Sequence, residues 1–87
     1  MAVKDQTGLV AVVARNVRAR RTALGLSQEA LAHEAGIDRT YVSQIERRVR
    51  NLTVTMLGRL ATALGTTADR LLIEGEPKRQ RSERRKR

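Results

Sequence analysis

The chain of 87 residues contains no cysteine, tryptophan or phenylalanine and has a single histidine, His33. Without cysteine, neither a disulfide nor a thiolate metal site can stabilise the fold. One histidine gives no basis for a metal centre, and helix register directs it away from the serine and aspartate of a catalytic triad. Each glycine stands alone, so no glycine-rich phosphate loop precedes a helix. These absences argue against an enzyme, a metal ion, another cofactor or a small-molecule ligand.

A long apolar run is also missing. The apolar stretch Leu9–Ala14 is far shorter than the roughly 20 residues that span a bilayer. No secretory segment is found either. We therefore expect no membrane partner and a cytoplasmic protein, associated with the nucleoid if it binds DNA.

Aromatic residues are nearly absent, since Tyr41 is the only one in a chain of 40% hydrophobic content. The core must therefore be aliphatic, which suits closely packed helices. A domain of this size buries only about 60% of its unfolded surface and is marginal alone. A homodimer interface is the expected source of additional stability.

Positive charge is abundant: the net charge is +9 and the isoelectric point about 11.6. The segment Lys78–Arg87 has seven basic residues and one acidic residue, a net of +6, which leaves +3 for residues 1–77. Both parts favour a polyanion partner, and nucleic acid is the usual one. The alternative is that the basic tail only keeps the protein soluble.

Capping residues and single glycines divide the chain into five predicted helices. The first runs from Leu9 to Leu24, and the others begin after the N-caps Ser27, Asp38, Thr53 and Thr67. Helices 2 and 3 end near Ala35 and Arg47. The fold class is all-α, a compact five-helix bundle. We expect a lead-in over residues 1–8, one domain over 9–76, and a disordered basic tail over 77–87.

The predicted core lies on apolar stripes at helical spacing. On helix 1 the stripe is formed by Val10, Val13, Val17 and Leu24. Arg20 lies close to this stripe and must extend its charged end to water. In helix 4, Gly58 is expected to permit a close contact.

Helices 2 and 3 form a predicted helix-turn-helix with the turn at Gly36. A rotation of 100° per residue places Val42, Ile45 and Glu46 on one half of helix 3. The opposite half carries no apolar group larger than a methyl, and its side chains are those of Arg39, Thr40, Ser43, Gln44 and Arg47.

The outward half of helix 3 has the chemistry of base recognition. Arginine pairs with guanine O6 and N7, and glutamine pairs with adenine N6 and N7. We therefore expect Arg39, Thr40, Ser43 and Gln44 to contact base edges, and Arg47 to contact phosphate. Any solvated helix face offers polar groups, but the preceding helix, the glycine turn and the basic charge together favour double-stranded DNA as the partner.

The same segment resembles a known family. The residues Gly25-Leu-Ser-Gln-x-x-Leu-Ala-x-x-Ala-Gly-Ile-Asp-x-x-x-Val-Ser-x-Ile-Glu46, followed by Ala61-x-x-Leu-Gly65, are similar to the helix-turn-helix family of phage repressors and Cro. Within it, Asp38-Arg-Thr-Tyr-Val-Ser-x-Ile-Glu-Arg47 and Arg50-Asn-Leu-Thr53 most resemble controller proteins of restriction–modification systems, which are small dimeric transcription regulators.

The resemblance implies roles for matching positions. Arg21 and Glu46 match a partly buried salt bridge that joins helix 1 to helix 3. Tyr41 would lie near the DNA between the half-sites. The remaining backbone or base-flanking contacts would come from Gln28, Arg47, Arg50 and Asn51.

The chain departs from the family at two positions. Arg48 stands where the family often has glycine, so a positive φ there would be strained. Arg20 stands where an apolar residue is usual.

The sequence leaves the biological role open in part. A homodimeric transcription regulator acting on a pseudo-palindromic operator is the first hypothesis, with Leu72, Ile73 and Met56 at the dimer interface. The alternative for Met56 is that its side chain packs in the core. The alternatives are an antitoxin-like or phage-repressor-like regulator with a protein partner, and a non-specific nucleic-acid binder that depends on the tail.

Overall fold

A computed structural model describes residues 7–74, and this range contains five α-helices and no strand. The helices are α1 (Leu9–Ala23), α2 (Gln28–Ala35), α3 (Arg39–Glu46), α4 (Val54–Ala63) and α5 (Ala68–Leu71). The all-α, five-helix prediction is confirmed. Residues 1–6 and 75–87 lie outside the described range, so the predicted lead-in is described only at 7–8 and the predicted tail is not described.

Three predicted N-caps make the expected bonds to backbone N–H groups. The side-chain oxygens of Ser27, Asp38 and Thr53 accept from the N–H groups of Ala30, Thr40 and Met56 at 2.9, 2.9 and 3.0 Å. These caps fix where α2, α3 and α4 begin. The two helices of the helix-turn-helix therefore start where the sequence predicts.

Thr67 precedes α5 as predicted, but its side chain makes no capping hydrogen bond to the backbone. Its hydroxyl instead interacts with the carboxylate of Asp69, and this hydrogen bond is the main cause that lowers the pKa of Asp69. The start of α5 therefore lacks the side-chain cap that α4 has.

The core lies where all five helices meet. α3 packs against α1 and α2, while α4 packs against α2 and α5, and α1 also packs against α5. The largest fully buried side chains are Val17, Leu31, Val42, Ile45, Leu60, Leu64 and Leu71. The core is aliphatic, in keeping with the composition.

Leu24 and Gly58 do not have the expected packing roles. Leu24 is 53% exposed, because α1 ends at Ala23 and the chain turns away with Gly25 at φ +73°. A Cβ at Gly58 would meet nothing within 4 Å, so this glycine permits no close contact in the described part of the chain. Arg20 donates from Nε to the Leu64 carbonyl at 3.4 Å, at the carboxyl end of α4.

Asn16 is a buried polar residue that the stripe analysis did not identify. It is 3% exposed and donates from Nδ2 to the carbonyl oxygens of Leu71 and Ile73, both at 2.9 Å. Buried polar groups are tolerated when such bonds are made. Asn16 thereby holds the end of α5 and the residues after it against α1.

Candidate nucleic-acid interface

The turn between α2 and α3 sets the relative direction of the two helices. Gly36 has φ +71° and follows α2 directly. Its carbonyl accepts from Arg59 Nη1 of α4 at 3.3 Å, and Ile37 packs partly against the core. The turn is thus held to the rest of the domain by the Gly36 carbonyl and by the Ile37 side chain.

Helix α3 is divided into an inner and an outer half, as its periodicity indicates. Val42 and Ile45 are 0% and 2% exposed, and they anchor the inner half. Arg39 and Thr40 are exposed, whereas Ser43 is half-buried. The outer half is therefore accessible at its amino-terminal end, which is the end that contacts bases in helix-turn-helix proteins.

A buried ion pair fixes α3 to α1. Arg21 Nε lies 2.6 Å from Glu46 Oε2, and Arg21 Nη2 donates to Glu46 Oε1 at 3.0 Å. The two side chains are 12% and 4% exposed. The hydrogen bond to Glu46 raises the pKa of Arg21 above its usual value. Arg21 also donates to the Leu26 carbonyl at 2.8 Å, so the same side chain secures the loop before α2.

Gln28 joins this ion pair. Its Nε2 donates to Glu46 Oε1 at 3.1 Å, and the residue is half-buried at the start of α2. The family resemblance implied a phosphate contact for Gln28. In the free protein its amide nitrogen is already hydrogen-bonded to the carboxylate, and the pattern analysis did not predict this bond.

Arg50 lies against α3. Its guanidinium carbon is 4.4 Å from the centroid of the Tyr41 ring, a cation–π distance. Its Nε donates to Gln44 Oε1 at 2.8 Å. The structure therefore brings together three predicted DNA-contacting residues that the sequence analysis treated separately. The bond occupies the amide oxygen of Gln44 and leaves its NH₂ group for another acceptor.

The other predicted contact residues are exposed. They are Arg39 and Thr40 near the start of α3, Arg47 after its end, and Asn51 before α4. Within residues 7–74, the guanidinium groups of Arg39 and Arg47 make no hydrogen bond or ion pair. Both cations are therefore available to an external anion or base edge.

An apolar cleft lies apart from α3. Its volume is about 260 Å³, and its lining includes Leu9, Val54 and Leu72. Val54 is 85% exposed. Of the residues predicted at the interface, Leu72 and Ile73 are exposed, while Met56 is half-buried and packs partly on the core. Leu9 and Val54, which also line the cleft, were not predicted at the interface.

Among residues 7–74, no helix is long and apolar enough to cross a membrane. No cluster of three or more metal-ligating side chains was found there either.

The comparisons with known proteins agree with this geometry. A family described as helix-turn-helix matches residues 17–71. A hypothetical transcription factor of Neisseria meningitidis serogroup B is 45% identical over 69 residues, which are 79% of this chain and 65% of that protein. The match thus spans slightly less than two thirds of the Neisseria protein's length. A crystal structure of the factor NHTF from Neisseria gives a TM-score of 0.75 at 41% identity, covering 93% of this chain and 90% of that one.

Two other relatives carry functional names. Control protein C.SmaI of Serratia marcescens is 46% identical over 61 residues, covering 70% of this chain and 73% of that protein. The restriction–modification controller protein C.Esp1396I, solved as a tetramer with its natural 35 base-pair operator, gives a TM-score of 0.69 at 33% identity, covering 76% of this chain and 87% of that one. The chain therefore belongs to the helix-turn-helix family, and the predicted resemblance to restriction–modification controller proteins is confirmed.

Proposed function

We propose that this chain is a sequence-specific, double-stranded DNA-binding regulator of transcription that acts as a homodimer, and that it is the controller protein of a restriction–modification system. The main observation behind the proposal is that the outer half of α3 is exposed at its amino-terminal end. Arg39 and Thr40 are exposed there while Val42, Ile45 and Glu46 fix the inner half in the core. Such a regulator needs no cofactor and no catalytic group, and it works in the cytoplasm at the nucleoid.

In this proposal α3 lies in the major groove and its first turns read the bases. Arg39 pairs with guanine through two guanidinium N–H groups, Thr40 and Ser43 hydrogen-bond to bases, and the Thr40 methyl contacts a thymine methyl. Gln44 donates from its NH₂ group, because its amide oxygen is bonded to Arg50 in the free protein. Its full two-bond pattern with adenine requires that oxygen to accept a second hydrogen or to be released.

Contacts to the DNA backbone set the register of the reading helix. We assign them to residues around α3: Gln28, Tyr41, Arg47, Arg50 and Asn51. The stacking of Arg50 on Tyr41 holds both side chains beside the outer half of α3 before DNA arrives. Less conformational entropy is then lost on binding, since part of the surface is already ordered.

A dimer doubles this surface. Two recognition helices one DNA turn apart, about 34 Å, would bind a pseudo-palindromic operator. The complex of C.Esp1396I with its 35 base-pair operator supports an oligomer on DNA for this relative. We place the dimer interface at Leu72, Ile73 and Met56, extended by the cleft residues Leu9 and Val54.

The interface assignment has a matched control. Ile73 and Leu24 are 51% and 53% exposed, and neither lines the cleft, but Ile73 directly follows the cleft residue Leu72 whereas Leu24 is at the end of α1. Ile73→Glu should weaken dimerisation by at least tenfold, because it would bury an unpaired charge. Leu24→Glu should leave the dimer unchanged. Sedimentation equilibrium of both variants measures the difference, and equal dimer strengths would rule out this interface.

Selection of binding sites from random duplexes tests the function. The full chain and the chain ending at Pro77 should select the same pseudo-palindrome, and the shorter chain should bind with a weaker salt dependence. If no sequence is selected, the alternative of a non-specific binder is correct. If binding disappears with the tail, the tail is the binding element. Co-purification of an acidic protein with the chain would favour the antitoxin-like alternative.

A further inference from the structure

Four helices of this chain end with the same pair of backbone hydrogen bonds. The backbone N–H of the residue in the left-handed region donates to the carbonyl three positions earlier. The backbone N–H of the next residue donates to the carbonyl five positions before it. This pair of bonds is the Schellman motif. The left-handed positions are Gly25 after α1, Gly36 after α2, Arg48 after α3 and Gly65 after α4.

Arg48 is the exception among these four. It has φ +64°, and it is the only non-glycine residue with positive φ in the described range, whereas the three glycines have φ of +71° to +73°. A side chain with a Cβ is disfavoured in this region, and glycine adopts it without steric cost. The helix terminated by Arg48 is also the one that carries the proposed reading surface.

No contact of the side chain within residues 7–74 explains why an arginine occupies this positive-φ position. Arg48 is exposed, and its guanidinium has no hydrogen bond or ion pair there. Its backbone N–H donates to the Ile45 carbonyl at 3.0 Å, a bond that glycine would make equally well. The backbone strain is therefore not offset by an intramolecular contact of the side chain.

The position of Arg48 indicates what the side chain binds. It follows the carboxyl end of α3, between Arg47 and Arg50 in the chain. When the amino-terminal end of a recognition helix contacts bases, residues at its other end lie near the DNA backbone. An exposed, unpaired guanidinium there is suited to a phosphate group.

We propose that Arg48 is a DNA-phosphate contact residue, held in a left-handed backbone conformation that glycine would adopt more easily, so that its charge extends the basic edge of the reading surface. This inference rests on the proposed function. It predicts that stability and DNA affinity change in opposite directions when glycine replaces Arg48. If the Arg48 cation only interacted favourably with the α3 dipole, its replacement by glycine would lower the stability of the fold instead.

Three variants separate the contributions of strain and charge. Arg48→Gly removes both, Arg48→Asn removes the charge while tolerating positive φ, and Arg48→Lys keeps the charge and the Cβ. Chemical denaturation measures the unfolding equilibrium. Titration of a duplex selected by the wild-type chain, and of an unrelated duplex of equal length, measures affinity between 0.05 and 0.3 M salt, a range of about sixfold.

We expect Arg48→Gly to lower the unfolding equilibrium constant roughly two- to fivefold. Its affinity for both duplexes should fall roughly tenfold or more at 0.1 M salt, with a salt slope smaller by about two per dimer. Arg48→Asn should lose the same affinity, and Arg48→Lys should keep most of it. An unchanged salt slope, or a reduced stability of Arg48→Gly, would overturn the proposal. If the wild-type chain itself prefers no duplex, the proposed function fails instead.

Discussion

Arg21 and Glu46 form a two-point ion pair that joins α1 to the end of α3, with nitrogen–oxygen distances of 2.6 and 3.0 Å. Glu46 lies on the inner half of the helix whose outer half is the proposed reading surface. Gln28 of α2 also donates to this carboxylate. One buried carboxylate therefore connects all three helices that determine how α3 is presented.

Removal of one partner of this pair should be costly. Arg21→Ala leaves the 4%-exposed Glu46 carboxylate without its counter-ion, and Gln28 alone does not neutralise it. We expect a loss of about 3 kcal/mol in the free energy of unfolding. Chemical denaturation of the variant against the wild-type chain measures this loss.

The double variant Arg21→Met with Glu46→Leu is the control. It removes both charges and keeps apolar volume, so it should be more stable than Arg21→Met alone or Glu46→Leu alone. A double variant whose loss equals the sum of the two single losses would mean that the two groups do not interact in solution.

Thr53 and Thr67 provide a matched pair of cap substitutions. Both precede a helix and both are exposed, but only Thr53 accepts a backbone hydrogen bond, from Met56 N–H at 3.0 Å. Thr53→Ala should reduce the free energy of unfolding by about 1 kcal/mol. Thr67→Ala should have a clearly smaller effect. Thermal unfolding distinguishes them, and equal losses would show that the capping bond at α4 contributes nothing.

The same Thr67→Ala variant makes a prediction about pH. The Thr67 hydroxyl lowers the pKa of Asp69 in the folded chain, so this contribution to stability is present above the ordinary pKa of aspartate and is lost as pH falls through the lowered value. Without the hydroxyl the pKa of Asp69 should rise. Titration of the carboxyl carbon by NMR measures it, and an unchanged midpoint would exclude the hydrogen bond.

Asn16 should influence dimerisation through α5. It holds the carbonyls of Leu71 and Ile73, next to the proposed interface residue Leu72. Asn16→Ala removes one buried and one partly buried hydrogen bond and should cost about 1–3 kcal/mol of stability. It should also weaken the dimer, while amide NMR signals of α2 and α3 stay in place. A weaker fold with an unchanged dimer would show that Asn16 has no role in presenting Leu72.

The helix-turn-helix could be predicted because its signals are local. The caps Ser27, Asp38 and Thr53 and the glycine at position 36 act within a few residues of their own position. The two halves of α3 follow from its periodicity alone. The contact between Arg21 and Glu46 did not follow from spacing, since 25 residues separate them, and only the family resemblance implied it.

Other features depend on contacts that no local pattern encodes. Asn16 lies on the buried side of α1 because carbonyls 55 and 57 residues later accept its hydrogen atoms. Leu24 lies outside the core because the helix ends one residue before it. The stacking of Arg50 on Tyr41 requires the α3–α4 turn to bring the guanidinium back over the ring. The contacts of Asn16 and Arg50 are therefore fixed by tertiary packing, whereas the exposure of Leu24 depends on the exact residue at which α1 ends.

The contribution of each base pair of the selected site to the free energy of DNA binding, measured for the wild-type chain and for Arg39→Ala, tests the central claim most directly. A set of duplexes that differ from the selected site by one base pair supplies these energies. If the outer half of α3 reads bases, Arg39→Ala should cost about 1–3 kcal/mol and lose discrimination at one base pair of each half-site, while preferences elsewhere persist. An equal loss on every duplex, or none at all, would contradict base reading by this helix.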